Sequence, residues 1–418
     1  MVSDPDASGS ADLRPCVEIV PGPGQAGPDA LLPALSAALD GSGPAIALVP
    51  RDGSQQYLAR VRAAVSPGET VPAGVAVVAS TSGSTGNPAG VLLPGSALQA
   101  AARAFQQRRG VATHTWVAAL PLHHAGGLMV AVRAVVSGGR VIAMDSLGGA
   151  QPFTVGGFVA ATEVALDRAD RARPLAVSLV PAMLATLAAD PDGVQALGHY
   201  DVVLVGGAGT PADLHSRLLA AGVRLTLSYG MTETCGGAVF DGRPLAGMQV
   251  AVDPSGRLRL AGDQVAAGYR DGRHPERWGV SGAGRRWFLT EDVGTVADGV
   301  VRVLGRSDDV VQVGGASVSL GAVADVIRAD PRVAAAEVVG LDDARLGARV
   351  VAVVMPVRGA CARDTVPLAE SLTSAVVGAL GPAARPRRVR LVRTIPMLES
   401  GKPDRAVLRE LAGDPSAD

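Results

Sequence analysis

Lysine is all but missing from this chain. Of 38 basic residues only one, Lys402, is a lysine, and all the others are arginine. A composition that replaces lysine everywhere else and keeps it once implies a position that needs a compact ammonium on a flexible stem. Cysteine is scarce too. Cys16, Cys235 and Cys361 are odd in number and widely separated, which argues against a disulfide framework and against a zinc site. No run of 18 apolar residues occurs, so no membrane span is expected. The opening MVSDPDASGSADL lacks the basic-then-apolar pattern of a leader. A soluble cytosolic protein is the expectation, with the mean hydropathy of +0.27 coming from Ala and Val that fill a core. Neither sign of charge dominates. The formal net charge is −1, which removes the electrostatic case for a nucleic-acid partner. The cluster Arg385, Arg387, Arg388 and Arg390 reads as a solvated face, or as a contact for a phosphate-rich ligand.

What is present is a regular alternation. From Gly74 to Ser228 short β-branched runs (VAVVAS, WVAAL, RVIAM, LAVSLV, DVVLV and VRLTLS) alternate with helical patterns, one of them opening at Pro94 and running to Arg109. That alternation predicts an α/β fold, with parallel or mixed sheet and crossover helices. From Met248 to Leu304 the segments become short and alternating, with turns such as Asp253-Pro254-Ser255-Gly256, and read as an antiparallel sub-domain. Strand and helix patterns after Asp308 suffice for a small α+β domain. At 418 residues the chain should form two or three domains.

Thr81 to Gly90 reads TSGSTGNPAG and directly follows an apolar run. Glycines let backbone N–H groups approach an anion, and hydroxyls add donors, so Thr81, Ser82, Gly83, Ser84, Thr85 and Gly86 form a candidate phosphate loop. It is no Walker motif, because Asn87 and Pro88 follow Gly86 where Lys and Ser or Thr are required.

This loop resembles the phosphate-binding signature of the acyl-adenylate-forming superfamily of acyl-CoA ligases, luciferases and adenylation domains, and other motifs follow in that superfamily's order. SYGMTETCGG, Ser228 to Gly237, is similar to its second signature: the resemblance implies that Tyr229 stacks on adenine, Thr232 donates to the α-phosphate and Glu233 holds Mg²⁺. Gly207 and Ala208, after DVVLV, would let the base lie flat against the backbone. LTEDVG, Leu289 to Gly294, implies a ribose-binding Asp292, although Glu291 stands where the family usually has Gly. GRSDDVVQVGG, Gly305 to Gly315, implies that Arg306 reaches ribose or phosphate, that Asp308 is a hinge, and that Gly314 and Gly315 line a pantetheine tunnel. In IPMLESGKPDR, Ile395 to Arg405, Lys402 would be the catalytic lysine.

LPLHHAGGL, Leu120 to Leu128, together with Ser228 to Val250 resembles the o-succinylbenzoate–CoA ligases of menaquinone biosynthesis, one family of this superfamily. That likeness implies ATP, Mg²⁺ and CoA as reaction partners, o-succinylbenzoate as the acid, and a homodimer as a compatible state. His124 would gate the acyl pocket, or be satisfied by backbone at a strand end, and His123 is read as structural. The implied division is residues 1–307 for ATP and acyl binding and 308–418 for a mobile domain. Thr81 comes early relative to most relatives, so much of a first sub-domain would be trimmed, and Ala89 stands where most have a loop lysine.

Overall fold

The computed structural model describes residues 12–81, 88–148, 151–168, 173–357, 365–397 and 403–413. The first elements are β1 (Leu13–Ile19), α1 (Ala26–Asp40), β2 (Ala45–Leu48), α2 (Gln55–Val65), β3 (Thr70–Pro72), β4 (Val75–Ser80), β5 (Gly90–Pro94) and α3 (Gly95–Arg109). The strands form a sheet in the order β5-β4-β2-β1-β3, with the later strand Gly268–Tyr269 added beside β5. β1, β2 and β4 run parallel, but β4 and β5 are antiparallel neighbours. The sheet is thus mixed, and the candidate phosphate loop lies in the connection between its antiparallel neighbours β4 and β5. Pro94 ends β5 and is the N-cap residue of α3, at the helix start expected there.

The second sheet has seven strands and lies parallel at its centre. Its elements are β6 (Thr115–Ala118), α4 (Ala125–Ser137), β7 (Arg140–Ala143), α5 (Val155–Arg168), β8 (Leu175–Leu179), α6 (Pro181–Ala188), α7 (Pro191–Gly198), β9 (Tyr200–Gly206), α8 (Ala212–Ala220), β10 (Leu225–Met231), β11 (Gly236–Phe240) and β12 (Arg243–Pro244). Strand order is β12-β11-β10-β9-β8-β6-β7. The apolar runs are continuous because both faces are covered. In β9, Val202 and Leu204 join the core shared with α1, α3 and α4, whereas Val203 and Val205 join the core under α5 to α8. Pro181 and Pro191 stand at the first positions of their helices.

The third sheet is antiparallel, as read from its alternation: β13 (Met248–Val252), β14 (Arg257–Gly262), β16 (Trp278–Val280), β17 (Arg286–Ala297) and β18 (Val300–Arg306), with Gly268–Tyr269 as β15 between them in sequence. Asp253 makes the β13–β14 turn, its Oδ1 accepting from the backbone N–H groups of Ser255 and Arg257 at 2.9 and 2.8 Å.

The C-terminal part has β19 (Val310–Val313), β20 (Ala316–Ser319), α9 (Leu320–Arg328), β21 (Val333–Asp343), β22 (Gly347–Pro356), α10 (Thr365–Leu380), β23 (Arg388–Leu391) and α11 (Arg405–Gly413). Its two buried clusters draw only on residues after 310. Arg390 departs from the solvated-face expectation. It is buried, with a guanidinium N–H donating to the Leu411 carbonyl near the end of α11, where the helix dipole favours a cation.

Candidate active site

Several motifs meet at the C-terminal edge of the second sheet. β9 and β10 are parallel with Gly206 opposite Ser228, so the Gly207–Ala208 turn and Tyr229 leave adjacent strands side by side. Open α/β sheets take ligands at this edge. Gly207 has φ of 85° and is exposed with Ala208, which leaves bare backbone for a flat ring. β10 then folds back into β11 through the short turn Thr232–Thr234. A Cβ on Gly230 would lie 2.0 Å from the Gly236 carbonyl oxygen, so no other residue fits there. Cys235 is buried beside it, and burial pushes its thiol up to about 12, which leaves it unreactive.

Tyr229 reaches the third sheet. Its Oη donates to Asp292 Oδ2 at 2.7 Å. Burial first, and the Asp292 charge second, hold the phenol far above its ordinary range, with the Arg306 charge acting in the opposite sense. Tyr229 therefore stays a donor. Asp292 is fixed through Thr290, whose Oγ1 accepts from the Asp292 N–H at 3.0 Å and donates to the Leu258 carbonyl at 2.8 Å. Arg306 stands directly opposite Asp292 in the β17–β18 ladder. The structure thus brings Tyr229, Asp292 and Arg306 together from three separate motifs.

Glu233, 8% exposed, is held by a residue that the sequence reading missed. Tyr269 Oη donates to Glu233 Oε1 at 2.6 Å, and burial followed by the Glu233 charge raises the Tyr269 phenol well above its usual value. Tyr269 pairs with Val91 of β5, two residues beyond Ala89. Glu233 is thereby tied to the exit of the phosphate-loop segment. Among the described residues Oε2 has no hydrogen-bond partner, and no cluster of three metal-ligating side chains occurs. One hard carboxylate oxygen, with the remaining positions left to phosphate and water, suits Mg²⁺.

Thr81 closes the phosphate-loop segment. Its N–H donates to the Ala89 carbonyl at 2.8 Å, and its Oγ1 accepts from the Ala89 N–H at 3.0 Å. Ser82, Gly83, Ser84, Thr85 and Gly86 lie outside the described residues. Ala89 is 6% exposed within the main core, so a side chain here points inward. His124 caps the start of α4 rather than sitting at a strand end. That helix packs on the β10–β11 turn, where a Cβ on Gly236 would come 2.9 Å from Met129. The His123 and His124 rings lie 4.2 Å apart. Burial, then the His124 charge, pushes His123 down to about 3.

The C-terminal candidates are arranged differently. Asp308 lies in the short turn Ser307–Asp309. Gly314 and Gly315, at φ of 59° and 86°, form the two-residue turn of the β19–β20 hairpin, and turn geometry alone requires glycines there. Lys402 lies outside the described residues, but its flanks do not: Met397 and Pro403 form an antiparallel bridge. Arg405 donates to both carboxylate oxygens of Asp309, with Nη2 at 2.7 Å from Oδ2. The base of the lysine segment is thus tied beside Asp308. Thr290 and Arg405 sat inside motifs already singled out, but nothing in GYRDG marked Tyr269.

A model of AMP-binding enzymes matches residues 30–270, and one of the AMP-binding enzyme C-terminal domain matches residues 322–402. The chain belongs to the AMP-binding enzyme family. Among related members of this family, a Mycobacterium tuberculosis protein designated probable 2-succinylbenzoate–CoA ligase is 37% identical over 388 residues, covering 92% of this chain and 96% of that one. A 2-succinylbenzoate–CoA ligase of Enterococcus faecalis is 30% identical, covering 78% of this chain and 68% of its own length. The amide bond synthetase McbA of Marinactinospora thermotolerans has a similar structure, with a TM-score of 0.78, 25% identity, and coverage of 95% of this chain and 90% of that one. That synthetase thus shares the α/β architecture described above. Among the described residues no helix is long and apolar enough to cross a membrane.

Proposed function

We propose that this AMP-binding enzyme is an AMP-forming acid–thiol ligase of the cytoplasm, which joins o-succinylbenzoate to CoA in menaquinone biosynthesis. In the first half-reaction the succinyl carboxylate oxygen attacks the α-phosphorus of ATP and pyrophosphate leaves. In the second, the CoA sulfur attacks the acyl carbonyl carbon and AMP leaves. A carboxylate needs this activation because its oxygen is a poor leaving group.

Tyr229 and the Gly207–Ala208 backbone take the two faces of adenine, and Asp292 accepts from the ribose hydroxyls. Arg306 adds a cation beside ribose or phosphate. Thr232 donates to the α-phosphate, and the loop from Thr81 to Gly86 cradles the β- and γ-phosphates. Glu233 offers Oε2 to Mg²⁺, which when bound neutralises the phosphate charge. His124, at the start of α4, borders the acyl side. Lys402 stabilises the charge that develops as the carboxylate meets phosphorus. Residues 308–418 then turn about Asp308, withdrawing Lys402 and bringing Gly314 and Gly315 to the pantetheine arm.

The observation that carries the nucleotide half of this reading is the 2.7 Å Tyr229–Asp292 bond flanked by Arg306. The acyl half rests on the 37% identity to a 2-succinylbenzoate–CoA ligase. Pyrophosphate release and CoA-thioester formation should be measured with o-succinylbenzoate and with a panel of benzoates and fatty acids. The reading predicts a clear preference for o-succinylbenzoate. A preferred benzoate would make the chain a different aryl-CoA ligase, and absence of pyrophosphate release with every acid would refute ligase activity.

A further inference from the structure

Glu291 occupies the position where the related motif usually has glycine, and its side chain goes to the hinge rather than to the nucleotide. Neighbouring strand residues face opposite ways, so while Asp292 meets Tyr229, Glu291 Oε2 accepts from Ser307 Oγ at 2.8 Å. Its Oε1 lies 3.3 Å from Arg277 Nη1 and 3.9 Å from Arg257 Nη1. Both arginines are themselves fixed. Arg277 Nε donates to the Leu289 carbonyl at 2.9 Å with its guanidinium over Phe288, and Arg257 is paired with Asp253 at 3.3 Å. The carboxylate is therefore braced on the third sheet and grips the residue next to Asp308. A glycine could make none of these contacts.

We infer that Glu291 is a positioning residue that latches Ser307 and biases the hinge toward the arrangement described here. This rests on the proposed two-step reaction with Asp308 as pivot. Releasing the latch moves population to the other arrangement, and a shift of population must help one half-reaction at the expense of the other.

The test compares Glu291→Gly, Ser307→Ala, their double variant and Glu291→Gln in single-turnover assays of adenylate formation from ATP and of thioester formation from supplied acyl-adenylate. Both single variants should move the two rates in opposite directions, changing their ratio by about three- to tenfold. The double variant should add nothing further, and Glu291→Gln, which keeps an acceptor for Ser307, should stay near wild type. Small-angle scattering of the unliganded chains gives a second readout that needs no activity: Glu291→Gly and Ser307→Ala should share an altered curve. An active wild type whose variants keep its rate ratio and its scattering overturns the latch alone. A wild type that forms no adenylate refutes the proposed reaction instead, and the scattering comparison still decides the latch.

Discussion

The residues proposed to face the nucleotide in the first 307 positions and those proposed to act from the C-terminal part are held in different ways. Tyr229, Asp292, Glu233 and Tyr269 are wholly or partly buried and tied to one another through side chains, at 2.7 and 2.6 Å. Gly314 and Gly315 are exposed on a hairpin turn and held through backbone, Gly314 N–H donating to Leu346 at 2.8 Å. The Lys402 segment is anchored by Arg405 to Asp309, next to the proposed pivot. The contrast teaches a division of labour. Under the proposed reaction, one region presents the nucleotide surface and the other carries the groups to be delivered and withdrawn.

The largest effect that would sharpen this contrast is expected at Lys402. Lys402→Ala should slow adenylate formation by a factor on the order of 10² or more, the usual loss for one preorganised electrostatic contact. Thioester formation from supplied acyl-adenylate should survive. Equal loss in both steps, measured by single turnover, would break the division. At the pivot, Asp308→Pro fixes φ near −65° and should slow thioester formation about tenfold or more while adenylation persists. Wild-type rates in both steps would place the hinge elsewhere.

Within the first region, Tyr269→Phe keeps the ring and removes the donor to Glu233. The Mg²⁺ concentration for half-maximal pyrophosphate release should rise about three- to tenfold, as for the loss of one hydrogen bond of ordinary net strength. An unchanged Mg²⁺ titration would mean that Glu233 does not meet the metal. The smallest expected effect is on pH stability. With His123 held down to about 3 in the folded state against an ordinary value of 6.5, the unfolded chain binds the extra proton between those values. Stability should therefore fall as pH drops below about 6.5. His123→Gln should reduce the loss in urea midpoint between pH 7.5 and pH 5, leaving the contribution of buried His114, which has the same sign.

Much of this architecture was legible before any coordinates. Period-2 runs and continuous apolar runs located the strands from VAVVAS to VRLTLS because burial on one or both faces writes itself into residue type. The antiparallel β4–β5 pairing was not legible, since a Gly-rich loop serves hairpins and crossovers alike. The motif resemblance singled out Tyr229, Glu233 and Asp292, but not the partners that fix them. Tyr269 reaches Glu233 from 36 residues away, a contact made by sheet pairing with β5 and invisible in local pattern. Glu291 looked like a small departure from a motif because its role lies 16 residues on, at Ser307. Arg390 looked solvated because a charge run says nothing about which member faces a helix end.

Binding of a non-hydrolysable acyl-sulfamate analogue of the o-succinylbenzoyl adenylate, measured by titration calorimetry on wild type, Lys402→Ala and Asp292→Ala, tests the central claim most directly. The account predicts that Lys402→Ala binds as wild type does. Asp292→Ala should bind at least about tenfold more weakly, having lost charge-assisted contacts to the ribose. The reverse order, with Lys402→Ala crippled and Asp292→Ala unaffected, would contradict it.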